Sequence, residues 1–111
     1  MRLKPGVRGK PSGSILLAIL AVDSCYRSYG HELTVTSLSD GTHSSASLHY
    51  EMNDPTGKEE CNAFDCRIRD LARGANGPLP KMIATDAAIM LGNDYDVVLE
   101  ENHIHVEYDP K

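Results

Sequence analysis

The segment YDVVLEENHIHVEYDP, residues Tyr95–Pro110, has the most regular pattern in the chain. Tyr95–Glu100 and His103–Tyr108 are rich in β-branched and aromatic residues and alternate apolar with polar positions, so both are predicted to be strands. Only Glu101 and Asn102 lie between them, and the simplest connection is a two-residue hairpin turn. Such a turn requires positive φ, which asparagine tolerates better than most residues.

The hairpin register sorts the side chains onto two faces. Glu100 would pair with His103 and Val98 with His105, and paired residues point to the same side of a sheet. One face is then apolar throughout: Tyr95, Val97, Leu99, Ile104, Val106 and Tyr108. The other face carries both histidines and several carboxylates. An amphipathic hairpin with a solvated polar face explains this pattern, and so does a metal site, because rigid strands hold ligands in fixed positions.

The other segments predict two helices, two strands and three loops. The helices are about Ser14–Ser28, ended by Gly30, and Lys81–Leu91, ended by Gly92. The strands are Glu32–Ser37 and Ala63–Ile68, and the loops are residues 38–48, 52–61 and 73–80. Apolar residues at helical spacing are expected to face the core: Ile15, Ile19, Val22 and Tyr26 in the first helix, and Met82, Ile83, Ala87, Met90 and Leu91 in the second.

Length and charge exclude several classes of protein. A chain of 111 residues has room for one core, and its formal net charge of −5 argues against binding nucleic acid by neutralising phosphates. The apolar run Ile15–Val22 is shorter than the roughly 20 residues that span a bilayer. No small-residue cleavage site follows the run, so a core helix is preferred to a signal peptide. Four of the eleven basic residues lie in the first ten positions, and residues 1–13 are expected to form a flexible basic tail.

The cysteines fit neither a disulfide scaffold nor a thiolate zinc site. Their count of three is odd, and Cys61 and Cys66 do not have the CxxC spacing. These two and Cys25 are therefore predicted to be free thiols in a reducing compartment, with a bridge between Cys61 and Cys66 as the alternative.

Two residues upstream of the hairpin complete a candidate ligand set. With His105, His49 and Asp65 would supply two neutral imidazoles and one carboxylate, the kind of set that holds catalytic zinc and leaves a position for water. Such a centre keeps a net positive charge and lowers the pKa of its water to roughly 7. The other two histidines have simpler interpretations, His31 as a surface residue and His43 as a solvated loop residue.

Three motifs in this order resemble the zinc peptidase superfamily that includes the D-alanyl-D-alanine carboxypeptidases, the lysostaphin-type endopeptidases and the Hedgehog signalling domain. They are Ser47-Leu48-His49, Ala63-Phe64-Asp65 and His103-Ile104-His105. The short chain and its ending look like small peptidase-like proteins of phages and bacteria. The resemblance covers roughly residues 14–110. It implies an α+β fold for one domain over residues 14–111, in which a small antiparallel sheet packs against two main helices and carries zinc on its face.

The resemblance also implies a role for each residue of the site. His49, Asp65 and His105 would hold Zn²⁺. His103 would stabilise the oxyanion that forms on the scissile carbonyl, and Glu100 would be the general base. Some members of the superfamily place that glutamate three residues before the ligand histidine, so His103 is the alternative to His105 as ligand.

Two departures from the family pattern bear on function. Fifteen residues separate His49 from Asp65 where the family has a short gap containing glycine, so a loop insertion is expected over residues 52–61. Insertions of this kind cost little free energy, so a metal site can survive one. The arginine-bearing segment that often precedes the first histidine, and helps to bind a substrate carboxylate, is not evident in residues 36–43.

The function that follows from the resemblance is zinc-dependent hydrolysis of peptide bonds in peptidoglycan, by a D,D-carboxypeptidase or an endopeptidase. The partner would be a peptidoglycan peptide or another peptide that contains D-amino acids, with no nucleic acid and no stable membrane span. The alternatives are a non-catalytic zinc-binding module with a peptidase-like fold and a phage structural protein. The chain would be cytoplasmic until released, as in the route of a phage lysin.

Overall fold

The computed structural model describes residues 1–39, 47–54, 59–71 and 77–110. The elements follow in the order β1 (Arg2–Leu3), α1 (Gly13–Ser28), β2 (Thr34–Ser37), β3 (Ala63–Arg67), α2 (Pro78–Leu91), β4 (Tyr95–Leu99) and β5 (His103–Tyr108). A short 3-10 turn covers Glu51–Asn53. His43 and parts of the three predicted loops lie outside the described residues.

The predicted α+β class is confirmed, with a five-stranded sheet in the order β1-β2-β3-β5-β4 and two helices. The pairs β2–β3, β3–β5 and β5–β4 are antiparallel, as predicted. The first strand was not predicted, and it pairs with β2 in parallel. The sheet is therefore mixed rather than antiparallel throughout.

The N-terminal residues differ from the predicted tail because their backbone joins the sheet and the loops beside it. The N–H groups of Arg2 and Lys4 donate to the carbonyls of Leu33 and Val35 at 2.8 and 2.9 Å. Further along, the Lys10 carbonyl accepts from Cys61 N–H at 2.7 Å. These bonds use backbone groups only, so a basic composition that is typical of a solvated tail carries no sign of them.

Helix α1 matches its prediction closely. The Ser12 Oγ caps it by accepting from the N–H of Ile15 at 3.2 Å. At the other end Gly30 has a φ of 80°. The N–H groups of Gly30 and His31 donate to the carbonyls of Arg27 and Tyr26, both at 3.0 Å, which is the double closure of a Schellman motif. The predicted core residues of this helix are all buried: Ile15, Ile19, Val22 and Tyr26.

Helix α2 begins at Pro78, three residues before the predicted Lys81. Prolines are compatible with the first helical turn, where N–H groups have no partner within the helix, so this Gly/Pro-rich stretch is only partly loop. Ile83 and Ala87 are buried as predicted. The prediction that Met82 and Met90 face inward is wrong, since they are 44% and 55% exposed.

The C-terminal hairpin has the predicted register. Leu99 lies opposite Ile104 and Val98 opposite His105, and the Glu100 N–H donates to the His103 carbonyl at 2.8 Å. The expectation of positive φ in the turn is wrong. Among the described residues Glu59 is the only residue other than glycine with positive φ, so the two turn residues close the hairpin without left-handed backbone.

Both helices cover the same face of the sheet. Helix α1 contacts β3 and β5, and α2 contacts α1 and β4. Phe64, Ile104 and Val106 are completely buried beneath them. The three cysteines are free, as predicted, and also belong to this core. Within the described residues, neither helix is long and apolar enough to cross a membrane. The opposite face of the sheet, called the uncovered face below, carries the side chains that alternate with these apolar ones along β3 and β5, among them Asp65 and His105.

Candidate metal centre

His49 lies just before the 3-10 turn, in an irregular segment that side chains brace. Ser47 Oγ accepts from the His49 N–H at 3.2 Å, and Asn53 Nδ2 donates to the Ser47 carbonyl at 2.8 Å. The His49 ring is 2% exposed, and its Nδ1 lies 2.6 Å from the Leu38 carbonyl oxygen. Because a carbonyl oxygen only accepts, Nδ1 carries the proton and Nε2 presents a lone pair to the uncovered face.

Asp65 and His105 come from neighbouring strands. They are direct partners in the β3–β5 register, so their side chains lie side by side on the uncovered face. A bulge in β2 between Val35 and Ser37 leaves Ser37 opposite Asp65. The side chains of Asp65 and His105 are only 12% and 18% exposed, so their interactions are weakly screened by water.

Three atoms able to bind a metal converge at this point. His49 Nε2 lies 3.2 Å from His105 Nδ1 and 3.2 Å from Asp65 Oδ1, and His105 Nδ1 lies 3.0 Å from Asp65 Oδ1. A tetrahedral ion with bonds of about 2.0–2.1 Å places neighbouring ligand atoms roughly 3.3 Å apart. These three atoms form a triangle, called the triangle below, whose sides are close to this length. The three residues can therefore hold a metal ion.

Glu107 orients the second histidine of the triangle. Its Oε1 lies 2.8 Å from His105 Nε2. The carboxylate accepts, so Nε2 carries a proton, and Nδ1 faces His49 and Asp65, where a metal ion could replace the proton that Nδ1 donates to Asp65. Metal-binding histidines usually donate their second N–H to a carboxylate or a carbonyl oxygen, and here Glu107 and the Leu38 carbonyl are those partners. Sequence reasoning placed Glu107 on the correct face but gave it no role, although its position two residues after His105 was a usable signal.

Electrostatics makes the triangle a site for positive charge. Burial raises the pKa of Asp65, but the contacts with the His105 and His49 rings outweigh burial and hold this pKa well below its ordinary value. Burial lowers the pKa of His105, but the hydrogen bonds to Asp65 and Glu107 outweigh it and raise this pKa. Two imidazole lone pairs and a carboxylate oxygen repel one another unless a cation lies between them. A proton on His105 Nδ1 and a metal ion therefore compete for the same place.

His103 lies beside the triangle rather than in it. Its Nε2 is 3.5 Å from Asp65 Oδ1, and its side chain is 30% exposed. Its Nδ1 is 2.6 Å from the Asn102 side-chain oxygen, which fixes the orientation of the ring. The sequence left His103 and His105 as alternative ligands. In the structure the third atom of the triangle is Nδ1 of His105. Asn102 had been considered only for the turn.

Glu100, the predicted general base, is exposed at the end of the hairpin. Its backbone pairs with His103, so it shares the uncovered face with the triangle. Within the described residues, no hydrogen bond or ion pair joins its carboxylate to His49, Asp65 or His105. The structure therefore brings the three predicted ligands together but leaves the predicted base apart from them.

Comparisons of this chain with protein-family models, with curated proteins and with solved structures found no match. The family resemblance stays a hypothesis that depends on the three motifs. The geometry of the site and the chemistry of its residues are therefore the basis for proposing a function.

Proposed function

We propose that the protein is a zinc-dependent peptidase that hydrolyses a peptide bond in peptidoglycan. The observation that carries the proposal is the triangle of His49 Nε2, Asp65 Oδ1 and His105 Nδ1, with sides of 3.0–3.2 Å. Two imidazoles and one carboxylate are typical of catalytic zinc, whereas structural zinc is usually held by several thiolates. The triangle also lies on the face of the sheet that the helices leave uncovered.

A zinc ion held there would supply Lewis acidity toward a carbonyl and would make a water molecule more acidic. The protein's own residues would position the substrate and move protons. Since Asn102 accepts the Nδ1 proton of His103, the Nε2 of the neutral ring can take a proton from water. Once protonated, the ring can stabilise an oxyanion on the substrate and donate to the leaving amine. Glu100, opposite His103, is the base that the family resemblance implies.

The test is chelator-sensitive cleavage of cell-wall material. We expect zinc-loaded protein, incubated with purified peptidoglycan of several chemotypes, to release peptides or D-alanine that mass spectrometry detects. A chelator and His49→Ala should each abolish release, while His31→Ala, a histidine outside the site, should retain it. In the same assay the general base is the residue, Glu100 or His103, whose change to Gln lowers the rate by roughly 10²–10⁴-fold. Full zinc loading with no product from any chemotype would contradict the proposal.

A non-catalytic zinc-binding module is the second candidate. What favours it is the exposed position of Glu100, whose carboxylate makes no hydrogen bond or ion pair with the triangle among the described residues. A peptidase needs a base within reach of the attacking water, whereas a recognition module needs only the metal and a surface. Stoichiometric zinc together with peptide binding and no hydrolysis would select this candidate.

A further inference from the structure

Strand β4 forms one edge of the sheet, and part of its backbone is unpaired. The Glu100 N–H donates to the His103 carbonyl at 2.8 Å, so Glu100 is a hydrogen-bonded position of the antiparallel β4–β5 ladder. Hydrogen-bonded and non-hydrogen-bonded positions alternate along such a ladder. The N–H and C=O groups of Val97 and Leu99 therefore point away from β5. Within the described residues no hydrogen bond takes up these groups.

An apolar groove runs along the same edge. It lies between β4 and helix α2 and has a volume of about 350 Å³. Its lining side chains are mostly apolar: Ala84, Ala88, Ile89, Val97 and Leu99. A strand that paired with β4 would place the residue opposite Val97 on the same side of the sheet as Val97. The side chain of that residue would enter the groove, so the unpaired backbone and the groove both fit an extended chain.

The edge lacks the features that usually prevent strand pairing. Exposed edge strands are commonly protected by lysine, proline or a bulge. Strand β4 contains neither lysine nor proline, and its register with β5 is unbroken from Tyr95 to Leu99. These properties favour binding by strand addition, in which backbone hydrogen bonds provide affinity and alternate side chains provide selectivity.

The charge beside this edge indicates the kind of partner. On the uncovered face Asp96 lies opposite Glu107, and carboxylate oxygens of these two residues and of Asp109 lie within 4.8 Å of one another. Neither β4 nor β5 contains lysine or arginine. A second copy joined through β4 would bring two acidic edges together, whereas a basic side chain opposite Asp96 would form an opposite-charge pair. Charge complementarity therefore favours a basic peptide over a dimer.

We propose that the β4 edge and this groove bind an extended segment of a partner protein in which apolar and basic residues alternate. The apolar side chains of the segment pack between α2 and β4, and its basic side chains lie beside Asp96. Its backbone pairs with the outward N–H and C=O groups of Val97 and Leu99. The site needs no metal ion, so its test is independent of the zinc peptidase proposal.

The probe is a capped peptide of about six residues, the usual length of a strand, in which lysine alternates with valine. Hydrogen exchange of the full chain, followed by NMR, reports on the edge. In the free protein we expect the amides of Val97 and Leu99 to exchange faster than those of Asp96 and Val98, which bond to β5. At a peptide concentration of about ten times Kd, exchange at Val97 and Leu99 should slow by roughly tenfold.

Matched peptides and variants separate charge from backbone pairing. A peptide with glutamate in place of lysine should bind roughly 10-fold more weakly or worse. Asp96→Asn should weaken binding of the lysine peptide roughly 2- to 5-fold, whereas Asp70→Asn, at an exposed carboxylate beyond β3, should leave it unchanged. N-methylation of one set of alternate amides, the valines in antiparallel pairing, should abolish binding. N-methylation of the other set should not.

The peptide controls leave the protein unaltered, so they remain decisive if a variant does not fold. The inference is overturned if the lysine peptide leaves exchange at Val97 and Leu99 unchanged, if the glutamate peptide binds equally well, or if both N-methylated peptides bind. Protection of the same amides that rises with protein concentration in the absence of peptide would assign the edge to a second copy. That outcome would also overturn the inference.

Discussion

At the scale of single residues, the site depends on which nitrogen of each histidine carries the proton. The Leu38 carbonyl fixes the proton of His49 on Nδ1, and Glu107 fixes that of His105 on Nε2. The opposite nitrogens therefore point at Asp65, and a metal ion would displace the proton that His105 Nδ1 donates to this carboxylate. Both rings are thus oriented for a cation before one binds, which reduces the cost of organising the site.

Glu107 provides a direct test of this arrangement. We expect Glu107→Ala to weaken zinc binding by about 10–100-fold, because the His105 ring loses the acceptor that holds it in place. Glu107→Gln should lose less, since an amide oxygen still accepts from Nε2. Competition with a chromogenic chelator measures both affinities. Glu101→Gln, in the exposed turn, is the matched control, and a Glu107→Ala protein with wild-type affinity would contradict this role for Glu107.

The identities of the ligands could be predicted from the sequence, whereas their partners could not. His49, Asp65 and His105 are chemically distinctive, and the motifs place them in a recognisable order. The Leu38 carbonyl is a backbone atom, so no residue type indicates it.

At the scale of elements, the parts that were predicted best carry their own local signals. The β4–β5 hairpin alternates side chains with a period of two, and α1 has Ser12 at its start and Gly30 at its end. Strand β1 has no such signal, because two residues cannot display a period and their partner in β2 lies some thirty positions away. Its pairing arises from non-local backbone hydrogen bonds.

The glycine that ends α1 gives a prediction at this scale. Gly30 has a φ of 80°, and a Cβ added there would meet nothing within 4 Å. Gly30→Ala should therefore lower the free energy of unfolding by about 1–2 kcal/mol through backbone strain alone. Gly13→Ala, at the first residue of the same helix, also meets nothing within 4 Å and has no positive φ. It should be neutral or stabilising. Urea denaturation compares them, and equal effects would contradict the assignment.

At the scale of the whole molecule, the fold separates packing from chemistry. Two helices bury one face of the sheet, and the other face brings together residues that are distant in sequence, from Lys4 to Glu107. The N-terminal segment belongs to this face, since Lys4 lines a cleft beside the metal centre. Its basic residues, which as a sequence resemble a solvated tail, thus include one that lies beside the candidate metal centre.

We expect His49, Asp65 and His105 to bind one zinc ion, and X-ray absorption on zinc-reconstituted protein would show its ligands. The expected spectrum has one zinc per chain, with nitrogen and oxygen ligands at about 2.0–2.1 Å and two imidazole signatures. His49→Ala and Asp65→Ala should lose stoichiometric zinc, and His31→Ala should keep it. A protein without stoichiometric zinc, a sulfur ligand at about 2.3 Å, or full zinc occupancy in the two ligand variants would show that these residues do not form a zinc site.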